Sequence, residues 1–202
     1  MEYVRKNKSV FAYSLIIENL MQAVSNKEEP KQEWCDQYVR YAAIFPNHCY
    51  TELGDIMIKT LFSIRPGGTY IDFSLPDSDG KTHTLSEIIE GNIAILNLWA
   101  SWCGPCRRKG KELIPVYEEY KDKGLTVVGV ARETNEKNMV KAIENDGYTW
   151  INLLELNDNA DIWAKYGIPF SGGGIFLIDR DGKILAVDPD KEEILKILQE
   201  KL

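Results

Sequence analysis

Cys103 and Cys106 stand two residues apart in the run Trp102-Cys103-Gly104-Pro105-Cys106. The run lies between the apolar stretch Ile93 to Trp99 and a helical pattern from about Cys103 to Lys121. A cysteine at a helix start meets unpaired amide groups and the positive end of the helix dipole. Its thiolate is stabilised there, and its pKa falls below the ~8.5 of a free cysteine. The thiolate is the nucleophile of thiol–disulfide exchange. Cys106 lies one helical turn on, so its sulfur can return to Cys103 and resolve a mixed disulfide. Gly104 leaves the approach open. Pro105 sits in the first turn, where a missing N–H is harmless and a fixed φ suits the helix. Trp102 is expected on the site surface. Trp99 fits either the core or the rim.

A zinc half-site is the competing reading of such a pair. Zinc needs about four ligands, and the other candidates, Cys35, Cys49, His48 and His83, are remote in sequence. No metal and no organic cofactor is assigned. Cys35 and Cys49 fit either a disulfide between helices, which needs Cα atoms within about 7 Å, or two small core residues. His48 and His83 read as loop and strand residues without a catalytic role.

The elements that must position the pair follow from periodicity. Before Arg65-Pro66-Gly67-Gly68 the spacing predicts three helices, at about 9–24, 31–44 and 49–63. After it, 70–75 and 81–85 read as a hairpin around Asp77-Ser78-Asp79-Gly80, with Ser86 capping a short helix. Buried strands at 93–99 and 125–131 alternate with helices at 103–121 and 136–145. A strand at 150–156, a short helix at 158–166, a hairpin around Asp179-Arg180-Asp181-Gly182 and a final helix after Asp190 complete the chain. This order implies an α/β fold with a mixed central sheet flanked by helices. The expected domains are a helical N-terminal extension, 1–65, and an α/β domain, 66–202.

The 202 residues carry a formal charge of -7 with 27% charged side chains, a balance that disfavours nucleic acid and anionic membrane surfaces as partners. No apolar window is long enough for a membrane span.

The segment Asn97-Leu98-Trp99-Ala100-Ser101-Trp102-Cys103-Gly104-Pro105-Cys106-Arg107-Arg108 resembles the active-site segment of the extracytoplasmic TlpA/ResA-like thiol–disulfide oxidoreductases. Phe73-Ser74-Leu75-Pro76-Asp77, Gly124 to Val130 and Phe176 to Lys183 extend the resemblance over about 68–202. It implies a thioredoxin-like fold with an N-terminal β-hairpin. It also implies exchange of electrons with cysteine pairs of client proteins, and an upstream redox partner that resets the pair. The implied location is periplasmic, with the targeting segment outside this chain; a cytoplasmic setting is the alternative.

Four departures carry information. Asn97 departs only from thioredoxins proper, which carry a buried Asp there; many of the extracytoplasmic group share the Asn, and it cannot act as a base. Lys109 replaces a common Glu. With Arg107, Arg108 and Lys111 it makes the helix start basic, which should favour the thiolate and push the pair towards the oxidising end. Lys111 also replaces a helix-kinking Pro. The substrate-facing cis-Pro is missing from Ile168-Pro169-Phe170-Ser171-Gly172-Gly173-Gly174: either Gly173 takes over its contact or Pro169 reaches the site. This loop, with Pro169, Gly172, Gly173 and Gly174, is expected to face the substrate. Two rival functions stay open: a thiol peroxidase, against which Ala100 stands where a Thr is usual, and a redox-inactive interaction domain.

Overall fold

The computed structural model describes residues 1–169 and 171–202, so Phe170 of the glycine-rich loop lies outside the described residues. Contacts divide the chain into two units, one of residues 1–64 with 164–167, the other of 65–163 with 168–202.

The first unit is helical: α1 (Glu2–Lys6), α2 (Val10–Asn26), α3 (Gln32–Ile44) and α4 (Cys49–Ser63). The five-residue α1 is too short to leave a periodic signal. Ser9 starts α2 by accepting from the Ala12 N–H at 3.2 Å. Tyr13 is fully buried at the centre, ringed by Tyr38, Tyr41, Phe45, His48 and Tyr50 at centroid distances of 5.5–6.3 Å. His48 caps α4, accepting from the Tyr50 N–H, as befits a structural residue. Cys35 is buried and Cys49 exposed, and both are free thiols, so the helix–helix disulfide is not formed.

The second unit contains β1 (Ser74–Pro76), β2 (Thr82–Thr84), α5 (Leu85–Ile89), β3 (Ile93–Trp99), α6 (Gly104–Tyr120), β4 (Leu125–Glu133), α7 (Glu136–Asp146) and β5 (Ile151–Leu156). It continues through the short α8 (Ile162–Lys165), where the chain passes between units, to β6 (Gly174–Ile178), β7 (Ile184–Val187) and α9 (Lys191–Lys201). The main sheet runs β5-β4-β3-β6-β7, with β3 parallel to β4 and antiparallel to β6. All seven residues of β3 are buried. Ile93, Ile95 and Trp99 share a core with Leu113 and Val116 of α6 and Ile194 and Leu198 of α9. This is the thioredoxin-like architecture, with β1 and β2 as the N-terminal hairpin.

Three local expectations are corrected. The first hairpin strand is shorter, because Asp72 accepts from Phe73 N–H and from the N–H and hydroxyl of Ser86 instead of joining the ladder. Thr84, not Ser86, precedes α5, and Asp72 satisfies its orphan amide from a distance. The helix expected at 158–166 begins only at Ile162, since Asn157, Asp158 and Asp161 hold left-handed backbone at φ 56°, 56° and 54°.

Candidate active site

The pair sits where central strand β3 runs out and α6 begins. Past Trp99 the chain turns, and Cys103 N–H donates to the Ala100 carbonyl at 3.0 Å. Cys103 is the residue that caps α6, and its Sγ accepts from Cys106 N–H at 3.3 Å. The two sulfurs are bonded, with Cα atoms 5.3 Å apart, within the normal range for a disulfide. Both cysteines are buried, at 5% and 8% exposure, so exposure does not rank them as attacker and resolver. Position distinguishes them: Cys103 stands at the N-terminus of α6, and its Sγ takes an otherwise unpaired first-turn amide. Trp102 is 56% exposed beside them, while Trp99 is buried in the core and donates from Nε1 to Asn152 Oδ1 at 3.0 Å. Among the described residues no group of His, Cys, Asp and Glu could hold a metal ion.

A cleft of about 260 Å³ opens against the pair. Cys103, Pro105, Cys106 and Lys109 form one side of its lining and Ser171 to Gly174 the other, with Asn97, Leu98 and Ile175 completing it. Gly173 is the residue against the disulfide: a Cβ there would lie 2.9 Å from Cys106 Sγ and 2.1 Å from the Leu98 carbonyl oxygen. Pro169 does not line the cleft. Its carbonyl accepts from Gly172 N–H at 3.0 Å, and Trp163 Nε1 donates to the Gly172 carbonyl at 2.8 Å. Asn97 is buried in the same cleft, and its Nδ2 has no hydrogen-bond partner among the described residues.

The basic helix start is less basic than its composition. Arg107 donates to both carboxylate oxygens of buried Asp146, at 2.5 and 2.8 Å, and Lys111 lies 3.4 Å from the same carboxylate. This Arg107 fork holds the Asp146 carboxyl below the usual carboxylate range. Lys109 is the cation left lining the cleft. A proline does interrupt α6, at Pro115 rather than at 111.

Sequence reading missed the residues behind the loop. β4 runs two residues past its last pair with β3, Ala131 opposite Trp99, so Glu133 arrives beside the turn after β3. Its buried carboxylate accepts from Ser101 N–H at 2.6 Å and Ser101 Oγ–H at 2.9 Å. Arg107 Nη1 donates to the Ser101 carbonyl at 3.3 Å. Nothing in the spacing of Glu133 or Asp146 signals these roles; they follow from strand register and helix length.

Comparison with known proteins agrees with this geometry. Residues 66–187 match the model of the AhpC/TSA family. The thiol-disulfide oxidoreductase ResA of Geobacillus thermodenitrificans is 30% identical over 123 residues, 60% of this chain and 68% of that protein. The thiol:disulfide interchange protein DsbE of Allochromatium vinosum is 32% identical over 117 residues, 56% of this chain and 60% of that protein. The chain thus spans about two thirds of the length of the relatives it matches. The thioredoxin domain of a thiol-disulfide oxidoreductase from Bacteroides vulgatus superposes with TM-score 0.61 at 28% identity, covering 68% of this chain and 98% of that one. A thiol:disulfide interchange protein from a Bacteroides species gives 0.62 at 27% identity, covering 68% and 90%. The chain belongs to the AhpC/TSA family, and its Cys103–Cys106 pair is that of a thioredoxin-fold thiol–disulfide oxidoreductase.

Proposed function

We propose that the protein exchanges disulfides with cysteine pairs of client proteins outside the cytoplasm, with Cys103 attacking and Cys106 resolving. The observation that carries this reading is Cys103 Sγ capping α6 beside an open, glycine-walled cleft. In the reducing direction the Cys103 thiolate attacks a client disulfide, forming a mixed disulfide and releasing one client thiolate. Cys106 then loses its proton and attacks Cys103 Sγ. The Cys103–Cys106 bond forms, the second client thiolate leaves, and two electrons have passed to the client. An upstream dithiol partner resets the pair. Gly173 takes the place facing the disulfide, so the client segment meets main chain rather than a ring. The extracytoplasmic setting rests on the likeness to ResA and DsbE; no helix among the described residues is long and apolar enough to cross a membrane.

The charges near the pair are less one-sided than the basic run alone suggests. Arg107 and Lys111 share the one Asp146 carboxylate, and Glu133 adds a buried carboxylate, so less positive field reaches Cys103 than the basic run suggests. A weaker field stabilises the thiolate, and with it the dithiol form, less. The deciding measurement is the reduction potential of the pair, by alkylation and mass shift across glutathione or dithiothreitol buffers. A value nearer thioredoxin's ~−270 mV than a strong oxidant's ~−120 mV is expected. Absence of a reversible two-electron transition overturns the oxidoreductase reading. A Cys106→Ser variant should hold clients as mixed disulfides. Stoichiometric oxidation of Cys103 by peroxide, faster than by disulfides, would instead indicate a peroxidase.

A further inference from the structure

We propose that Glu133 is a positioning residue for the redox pair, acting through Ser101. The proposal rests on the oxidoreductase reading and concerns how this chain holds its nucleophile. All three backbone and side-chain handles of Ser101 are engaged. Glu133 takes its N–H and its hydroxyl, and Arg107 takes its carbonyl. Arg107 is itself held by Asp146, so the turn before Cys103 is gripped from β4 on one side and from α6 and α7 on the other. Ser101 is two residues from Cys103. Its grip fixes where the chain enters α6, and so where Cys103 Sγ stands relative to the Cys106 N–H that it accepts from. A buried carboxylate normally needs such donors. Here both are spent on a single loop residue rather than on a neighbouring strand.

Position and charge pull the Cys103 thiol in opposite directions, which makes the role testable. As a negative charge near the site, alongside Asp146 and against Arg107, Lys111 and Lys109, Glu133 opposes the thiolate. Its removal for electrostatic reasons alone lowers the Cys103 pKa. As the grip on the turn, it preserves the amide contact that stabilises the thiolate, so its loss raises the pKa. Glu133→Leu removes both acceptors. Glu133→Gln removes the charge but keeps an oxygen for Ser101 N–H, with an NH2 facing a hydroxyl that can turn to accept.

The experiment is the pH dependence of Cys103 alkylation in the reduced protein, resolved from Cys35, Cys49 and Cys106 by peptide mass, with thermal melting alongside. Glu133→Leu is expected to raise the Cys103 pKa by about half a unit, a roughly three-fold loss of thiolate at any pH well below that pKa. Glu133→Gln should show no rise. Ser101→Ala should move the pKa upward by less, and Ser101→Thr, which keeps the hydroxyl, should restore it. A lowered pKa in both Glu133 variants makes the residue purely electrostatic and overturns the proposal. An unchanged pKa with a lowered melting point makes it purely structural and overturns it as well. If Glu133→Leu does not fold, the Ser101→Ala and Ser101→Thr pair decides by the same signs. Failure of the oxidoreductase reading would instead show as a missing redox transition in the unaltered protein.

Discussion

Gly173→Ala tests the cleft at its tightest point. The added Cβ would lie 2.1 Å from the Leu98 oxygen and 2.9 Å from Cys106 Sγ. The first neighbour is main chain of β3, paired on one side with β4 and on the other with β6, where Leu98 faces Gly174. It cannot withdraw without disturbing the centre of the sheet. The loop must therefore move away, and overpacking of this kind costs about 2 kcal/mol. For a domain of this size that lowers the melting temperature by roughly 6 °C. The second neighbour makes the strain depend on redox state. In the disulfide, Cys106 Sγ is held by its bond to Cys103; in the dithiol it can rotate away. If half of the strain is confined to the disulfide form, about 1 kcal/mol, the reduction potential rises by about 20 mV. The control is Gly172→Ala, whose Cβ meets only the Pro169 oxygen at 3.8 Å and should melt within about 0.5 kcal/mol of the parent. Melting curves of oxidised and reduced protein, with potentials from thiol buffers, check both numbers. The reasoning is refuted if Gly173→Ala matches the parent in both, or if Gly172→Ala shifts equally.

Three further outcomes are expected. Gly110→Ala would bring a Cβ to 2.4 Å from the Tyr148 hydroxyl, whose ring is stacked on Trp150 at 4.9 Å and so cannot swing aside; a loss of about 1–3 kcal/mol should appear in denaturant titration. Asp146→Asn breaks the Arg107 fork, and because Arg107 is 30% exposed the loss should sit at or below the low end of about 3–5 kcal/mol for a broken buried pair. The folded Asp146 carboxyl titrates below its unfolded value of about 3.9. Its stabilisation is thus complete above that value and lost as pH falls through the depressed one, so the variant and parent should converge in melting only in acid. Asn97→Leu removes a buried amide donor that has no partner among the described residues, and it should melt higher by about 1 kcal/mol; a lower melting point would mean that Nδ2 is satisfied in solution.

The elements around the pair were legible because they obey local rules. A nearly all-apolar run predicts β3 as a central strand, and Pro105 after a cysteine marks the start of α6. Turn residues locate both hairpins. Local rules fail where one side chain replaces a backbone partner. Asp72 ended the first hairpin strand early by bonding Ser86, and left-handed Asp158 shortened α8 while its carboxylate met Arg132 at 2.5 Å. The loop facing the pair was half legible. Counting back from Phe176 singles out Gly173, but only its distance to Cys106 Sγ separates it from Pro169.

Electrostatics was the least legible layer, for a reason that applies to the site as a whole. Arg107, Arg108, Lys109 and Lys111 read as one basic cluster because they are close in sequence. Their partners are not: Asp146 comes from the end of α7 and Glu133 from the end of β4. Both elements end near the carboxyl end of β3, where parallel strands gather loops from distant parts of a chain. Where these two carboxylates stand is therefore set by how far β4 overshoots β3 and by where α7 stops. A relative with the same Cys-Gly-Pro-Cys run but a β4 one residue shorter would turn the Glu133 position to the other face of the sheet. It would lose the grip on Ser101 with an identical motif.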